Sequence, residues 1–564
     1  MQRRTRMQRN GILLPILLAA VQTILGWLSH ASNVEEIFTD VTAQAGIVWR
    51  HDNGESDDRF LIEATCGGVG FLDYDSDGLL DIYLVNGGRT PKGNSQEPIG
   101  NALYRNLGNG RFDAATTKAG VAQTDFFGMG VAAADYDNDG FQDLFVTGYP
   151  ACALFHNNRN GTFSDITEQA GVRNQGKWAA GAAWFDYNRD GLLDLFVCNY
   201  AEFSFQDAKR CRVAGFPAYC EQKAYPGQVP KLFRNNGNAT FSDMSAASGI
   251  ESYSGRALGV VAIDADDDGW TDLFLARDAS PNLLLINRRD GTFEDRGVEA
   301  EVAYSPEGLA KAGMGVDAGD VNDDGRPDFV VTNFNDEYHS ILLSGSGLLY
   351  GDGTIASGMA ALTRAYVGWG VRFVDYDSDG DLDLLIANGH INRVIELTRR
   401  DVTYEQPLLL LENNGRGVFK NLKQSPGPVF QARHASRGMA TGDFDNDGDP
   451  DAIFIRLGSK PVLLRNNVGQ AGSWIGFELQ GVRSNRDAIG ARLALEAAGQ
   501  KRVRWVTSGA SFLASHDKRV LFGLGREPVT LLVDVEIRWP SGTVQRLAKL
   551  GINRYHRAME PSGQ

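Results

Sequence analysis

The chain has 564 residues, a formal net charge of −16, and a content that is 43% hydrophobic and 10% aromatic. That length exceeds one ordinary domain and suits two or three, with enough apolar material for a sizeable core. The acidity excludes nucleic acid as the main partner, because phosphates call for a basic face, and 66 glycines favour tight turns over long helices.

The N-terminus has the form of an export signal over residues 1–31. Arg3, Arg4, Arg6 and Arg9 precede an apolar run from Gly11 to Leu28, and Ser29-His30-Ala31 offers a small-x-small cleavage site. An uncleaved anchor is the competing reading, since the run is close to the minimum for a span. Both place the remainder outside the cytoplasm (secreted, periplasmic or on the cell surface), with no further membrane span expected after signal removal. Next comes Ile37-Phe38-Thr39-Asp40-Val41-Thr42, a short β-prone segment.

From residue 73 onward one acidic template recurs seven times: Asp-x-(Asp/Asn)-x-Asp-Gly-x-x-Asp or a close variant. The candidate metal ligands at positions 1, 3, 5 and 9 are, loop by loop, Asp73, Asp75, Asp77 and Asp81; Asp135, Asp137, Asp139 and Asp143; Asp186, Asn188, Asp190 and Asp194; Asp264, Asp266, Asp268 and Asp272; Asp320, Asn322, Asp324 and Asp328; Asp375, Asp377, Asp379 and Asp383; Asp443, Asp445, Asp447 and Asp451. The loops start 62, 51, 78, 56, 55 and 68 residues apart, a period with variable insertions that suits a propeller. Small residues precede each loop, as in Gly128-Met129-Gly130-Val131-Ala132-Ala133-Ala134. Short apolar runs such as Ile82-Tyr83-Leu84-Val85 follow. Two further strands flank an Asn-Gly turn, as in Ala153-Leu154-Phe155-His156 and Thr162-Phe163-Ser164-Asp165. Each unit therefore predicts four antiparallel strands, A to D, with the acidic loop joining A to B. The seventh unit lacks its strand D, which residues 37–42 are expected to supply. The fold expectation is all-β: a seven-bladed β-propeller over 34–470 and a small β-sandwich-like domain over 471–556, followed by a tail at 557–564.

Alternating carboxylates, a glycine for the sharp turn and a last Asp match the hard oxygen donors that Ca²⁺ takes. The EF-hand does not fit, because position 12 is apolar in every loop (Leu84, Val146, Val197, Leu275, Val331, Ile386 and Phe454) and falls in a strand. Carboxylates crowded this closely repel without a cation. Up to seven Ca²⁺ would carry about +14, nearly offsetting the formal charge.

The longest insertions, Asn86 to Gly100, Tyr200 to Pro230 and Asn388 to Pro407, are B–C loops on the face opposite the acidic loops. The second holds Phe203, Phe205, Phe216, Tyr219 and Tyr225, a candidate ligand face, and Cys211 and Cys220, a candidate disulfide. Cys66, Cys152 and Cys198 read as buried thiols.

The acidic loops with their Asn-Gly hairpins resemble the FG-GAP/VCBS repeats of integrin α-chain propellers and bacterial surface proteins. Residues 484–492, Leu521-Phe522-Gly523-Leu524-Gly525 and Val535-Glu536-Ile537-Arg538-Trp539-Pro540-Ser541-Gly542-Thr543 resemble the ASPIC/UnbV domain. The chain is thereby similar to the cartilage acidic protein-like family over most of residues 34–556. No EGF-like cysteine module follows in this sequence, so a bacterial member is expected. Arg486 and Arg492 are read as structural ion-pair formers.

No metalloprotease, serine-hydrolase, phosphate-loop or Cys-x-x-Cys motif is present, and no catalytic residue is assigned. The functional expectation is a calcium-bound extracellular recognition or adhesion module for a protein or glycan ligand. The alternative is a calcium-dependent polysaccharide-active enzyme of lyase or hydrolase type.

Overall fold

The computed structural model describes residues 36–562 apart from 92, 94–99, 124, 423–425, 498 and 527–530. The expected signal segment, part of the Asn86–Gly100 insertion and the end of the tail lie outside the described residues.

Among the described residues, seven sheets share one plan of four antiparallel strands, two of them extended by a fifth short strand from the C-terminal region. In the second, Phe127–Ala134 pairs with Asp143–Tyr149, which pairs with Ala153–Asn157, which pairs with Phe163–Asp165. The inner strands are Val69–Leu72, Phe127–Ala134, Ala179–Phe185, Ala257–Ile263, Val316–Gly319, Gly368–Val374 and Ser436–Gly442. Each packs against the inner strand of the next sheet, and the seventh returns to the first, closing a β-propeller. Strand D of the seventh blade is Phe38–Asp40, whose Phe38, Thr39 and Asp40 face Asn466, Arg465 and Leu464. The first described strand thus closes the ring, as its position in the repeat predicts.

Small residues line the inner strands because neighbouring backbones nearly touch. A Cβ on Gly315 would sit 2.0 Å from the Trp369 carbonyl oxygen, and one on Gly438 2.4 Å from that of Gly67. Bulk lies further out, between blades. Leu72, Tyr83, Val131, Leu144 and Phe155 fill the space between the first two blades, and Val374, Leu385, Leu410, Phe454 and Leu464 that between the last two.

The C-terminal residues form a three-stranded sheet (Val520–Gly523, Trp474–Gln480, Tyr555–Met559) and a four-stranded one (Gln500–Trp505, Arg492–Ala497, Leu532–Arg538, Val544–Gly551). Their Phe477, Leu495, Phe522, Val535 and Ile537 share one apolar core with Tyr136, Trp184 and Leu195 of the second and third blades. Propeller and C-terminal sheets accordingly belong to one compact unit, Ile37–Gln564.

The segment 508–516 leaves these sheets and enters the propeller axis. Ser508–Gly509 pairs with Val261 and Ala262 of blade 4, and Ala514–Ser515 pairs with Val69 and Gly70 of blade 1. The Ser515 and Ser508 hydroxyls accept the amides of Ala133 (blade 2) and Trp184 (blade 3). Ser511 bridges to Val316 of blade 5, accepts the Val371 amide of blade 6 through Oγ, and donates Oγ to the Met439 carbonyl of blade 7. One short segment therefore bonds to all seven blades. Phe512 and Leu513 at its tip meet Trp369, Met129, Leu258 and Met314 in an axial core that continues to Phe60 and Ile62.

Candidate functional site

Every acidic loop joins strand A to strand B and is built the same way. The fourth residue and the glycine at position 6 take positive φ, for example 61° at Asn138 and 98° at Gly140, a bend that glycine accepts without penalty. In six loops the position-1 carboxylate is held by the amides of positions 5 and 6, as Asp135 accepts from Asp139 and Gly140 at 2.9 and 2.8 Å; in the sixth, Asp375 accepts from Gly380 of the loop alone.

The position-9 carboxylate has a second duty that the repeat pattern does not reveal. Asp143 Oδ2 accepts the Tyr136 amide and Oδ1 the Asn157 amide, so it ties the loop to the end of strand C. The Asn157 side chain then donates to the Tyr74 carbonyl of the preceding blade at 2.7 Å. Asn106, Asn235, Asn287, Asn413 and Asn466 repeat this latch onto Phe444, Tyr136, Tyr187, Val321 and Tyr376. The fifth blade has Ser344 at this place. The signal was in the sequence, as the Asn that ends strand C in the other six blades.

In four loops the structure brings the predicted ligands at positions 1, 3 and 9 together. Carboxylate oxygens of Asp73, Asp75 and Asp81 lie within 4.8 Å of one another, as do those of Asp135, Asp137 and Asp143, of Asp264, Asp266 and Asp272, and of Asp375, Asp377 and Asp383. Asp75 Oδ1, Asp375 Oδ1, Asp377 Oδ1, Asp383 Oδ2, Asp445 Oδ1 and both Asp449 oxygens are buried with no hydrogen-bond partner among the described residues. Burial, reinforced by neighbouring carboxylates, pushes Asp81 and Asp135 up to about 8 and Asp383 to about 10. An all-oxygen, carboxylate-rich donor set with orphaned buried oxygens fits a hard divalent cation.

The loops are not equivalent. The residue before the strand-C Asn reaches over the acidic cluster. Arg105 bonds Asp75 and Asp77 at 2.5 and 2.6 Å. His156 Nδ1 lies 3.3 Å from Asp143 and 3.5 Å from Asp137, and Asp143 raises its basicity. From the hairpin turns, Arg159 bonds Asp139 and Arg289 bonds Asp268. These partners are not apparent from the loop motif, because they come from strands joined to it only in space.

The C-terminal sheets cover the acidic-loop face. Around one part of the ring each loop holds the next: Asn446, Ser76, Asn138 and Arg189 donate to the glycine carbonyls of Gly78, Gly140, Gly191 and Gly269. Where those links stop, C-terminal arginines take over, Arg492 donating to Gly325 and Arg504 to Gly380, while Trp474 packs on Gly448. Arg486 reaches Asp135 at 3.5 Å, and Tyr555 donates to Asp443 at 2.7 Å. Arg486 is an ion-pair former as read from sequence; Arg492 instead bonds a carbonyl. A cavity of about 490 Å³ remains between the loops of blades 1 and 2 and this cap, lined by Asp73, Asp77, Asp135, Arg486, His516 and Lys518 among others.

On the opposite face, Cys211 and Cys220 form a disulfide beneath the hairpin Cys211–Val213/Phe216–Ala218. Of the candidate aromatic face, Phe216 is 51% exposed, while Tyr219 and Tyr225 are buried. Phe203 and Phe205 are half-buried against Phe60 and Tyr149. Most of that set is axial packing, and Phe216 with its neighbour Val213 is what reaches solvent. Cys66, Cys152 and Cys198 are buried and free, as expected.

Comparison with known proteins agrees with this architecture. Residues 73–146, 135–197 and 264–331 match the FG-GAP-like repeat, and residues 481–564 match the ASPIC and UnbV family. The chain thus carries FG-GAP-like repeats within its β-propeller and an ASPIC/UnbV domain at its C-terminal end. It is 25% identical over 438 residues to cartilage acidic protein 1 of Homo sapiens, covering 73% of this chain and 60% of that protein. The Mus musculus protein is 26% identical over 439 residues, covering 73% and 61%. The chain thus spans about three fifths of the length of these relatives. Among solved structures it is similar to the BP39L lectin from Burkholderia pseudomallei, with a TM-score of 0.43 at 11% identity over 71% of this chain and 96% of that one. The Agrocybe aegerita lectin that recognises N-acetylglucosamine gives 0.38 at 15% identity over 70% and 86%. Among the described residues, no helix is long and apolar enough to cross a membrane.

Proposed function

We propose that this chain is an exported, calcium-loaded propeller that serves as a recognition or adhesion module for an extracellular protein or glycan. The observation that carries the calcium reading is the set of buried carboxylate oxygens without a partner in the acidic loops. In each loop, positions 1, 3, 5 and 9 would hold the ion, with the loop's backbone carbonyls completing an oxygen shell. Calcium would supply positive charge that fixes seven turns and so the blade order. Export is supported by the basic-then-apolar N-terminus, by the Cys211–Cys220 disulfide and by the cartilage name of the relatives. Recognition is supported by the stapled hairpin that presents Val213 and Phe216 to solvent.

A second reading, a polysaccharide-active enzyme, draws on one observation. The cavity at blades 1 and 2 sets His516, Lys518 and Arg519 beside Asp73, Asp77 and Asp135, a mixture of proton carriers and a candidate metal position. The two readings separate in one experiment. A glycan and surface-protein binding screen with calcium and with chelator is run in parallel with an assay for cleavage of acidic polysaccharides. Calcium-dependent binding without turnover supports the recognition module. Turnover that is abolished by His516→Ala supports the enzyme. Neither binding nor turnover in the presence of calcium would refute both.

A further inference from the structure

We propose that the seventh acidic loop binds its cation through a fifth carboxylate, Asp449, and holds calcium most tightly of the seven. This rests on the calcium reading above and adds a ligand that the repeated positions do not include.

Asp449 stands at position 7, where the other loops carry Leu79, Phe141, Leu192, Trp270, Arg326 and Asp381. It is fully buried, at 0% exposure. Neither of its carboxylate oxygens has a hydrogen-bond partner among the described residues, and its charged neighbours are Asp447, Asp443 and Asp445. Asp443 and Asp451 are also 0% exposed, and Asp445 Oδ1 is orphaned too. An ionised carboxylate buried without donors is strongly disfavoured, and three more beside it compound the cost. A divalent cation removes both penalties at once. Asp381 of the sixth loop, the one other position-7 carboxylate, is only half-buried.

The nearby arginines act on Asp445 and Asp443 only through space, and their hydrogen bonds go elsewhere. Arg465, the counterpart of the Arg105 that neutralises loop 1, bonds Asn467 instead. Arg519 bonds Asp517, the Asn446 side chain and the Asp443 backbone carbonyl. Asp447 receives the neutral amide of Gln470 where Asp139 and Asp268 receive guanidinium groups. Loop 7 therefore carries five aspartates, against four in loops 1 and 2, and among the described residues its carboxylates have none of the direct ion pairs seen in loops 1, 2 and 4; cation affinity in such loops rises with ligand charge.

The location gives this ion a task. Gln470 lies in the turn Gly469–Ala471 that leads from the propeller into the C-terminal sheets. A Cβ on Gly469 would sit 2.3 Å from Asp449 Cβ. A cation seated on Asp449 thus braces the joint between ring and cap.

The test is calcium titration of the full chain, stripped and then refilled in competition with a calcium-chelating dye. Asp449→Asn is compared with wild type and with Asp290→Asn, an exposed hairpin substitution. Asp449→Asn is expected to remove one ion from the tightest class, or to weaken it by about tenfold or more; Asp290→Asn should leave that class intact. Thermal melts supply a second readout. In chelator, Asp449→Asn should melt at or above wild type, because an orphaned buried charge is gone, while its rise on adding calcium should be smaller. An unchanged tight class, or a lower melt in chelator with an undiminished calcium response, would overturn the proposal. If wild type takes up no calcium at all, the calcium reading itself fails, and this one with it.

Discussion

Replacing Asn157 with Ala isolates the latch between blades 1 and 2. Asn157 Nδ2 donates to the Tyr74 carbonyl at 2.7 Å and the Gln142 carbonyl at 3.0 Å, and Oδ1 accepts the Arg159 amide at 3.0 Å. The backbone bond from residue 157 to Asp143 is retained in the variant. Three hydrogen bonds at about 1 kcal/mol each give a loss of about 3 kcal/mol, roughly a hundredfold in the folding equilibrium. Two of the orphaned partners are carbonyls in a buried seam, where water cannot easily substitute. Asn236→Ala is the control, since its amide bonds the Thr240 hydroxyl on the surface and should cost well under about 1 kcal/mol. The measurement is urea unfolding at saturating calcium, with the denaturant slope checked for constancy. A loss at Asn157 no larger than that at Asn236 would refute the idea that these amides hold the ring together.

The fifth blade offers the converse. Ser344→Asn should add a latch toward the Ala265 carbonyl and raise stability by about 1 kcal/mol in the same assay. Phe512→Ala, which empties the tip of the axial segment beside Trp369, should cost about 3–5 kcal/mol and render the C-terminal sheets sensitive to proteolysis. The metal-free protein should also respond to pH. Burial and neighbouring charge raise Asp186 and Asp328 to about 7 and Asp81 and Asp135 to about 8. A folded-state value raised above the unfolded one contributes stability below the unfolded value that is lost as pH rises through the folded one. In chelator the melting temperature should therefore fall from about pH 4 to pH 8. Calcium, competing with those protons, should stabilise more at pH 8 than at pH 5. A flat profile in both conditions would contradict this electrostatic account.

Much of the fold was legible because it repeats. The period of the acidic loops, the small inner strands and the Asn-Gly hairpins each pointed to four-stranded blades, and the missing strand D pointed to Phe38–Asp40. Interactions between repeats were not legible. Arg105 and His156 enter the acidic loops from strand C, a distance no motif spacing encodes, and Asp449 looked like one more variable position. The axial segment was hidden for a different reason. Ala510, Ser511 and Leu513 adopt positive φ at 68°, 56° and 54°, a conformation that sequence preferences disfavour and that bonds to seven separate strands stabilise here. The aromatic insertion misled in the opposite sense. Tyr219 and Tyr225 suggested a ligand surface, yet Tyr219 donates to the buried Glu63 and Tyr225 packs inward.

The axial segment also sets an order of assembly. A chain emerging from its N-terminus exposes Phe38–Asp40 long before its partner Val462–Asn466 exists, and the ring has no centre until residues 508–516 arrive. The ring stays open until Val462–Asn466 arrives, and all seven blades then wait with an unfilled axis for the last tenth of the polypeptide. Contacts so distant in sequence form slowly, and unpaired strand edges invite association with other chains. A chain that ends before residue 508 would thus lack the segment that bonds to all seven blades. Whatever compartment receives it, commitment to the final form comes only when the far end of the chain threads the middle.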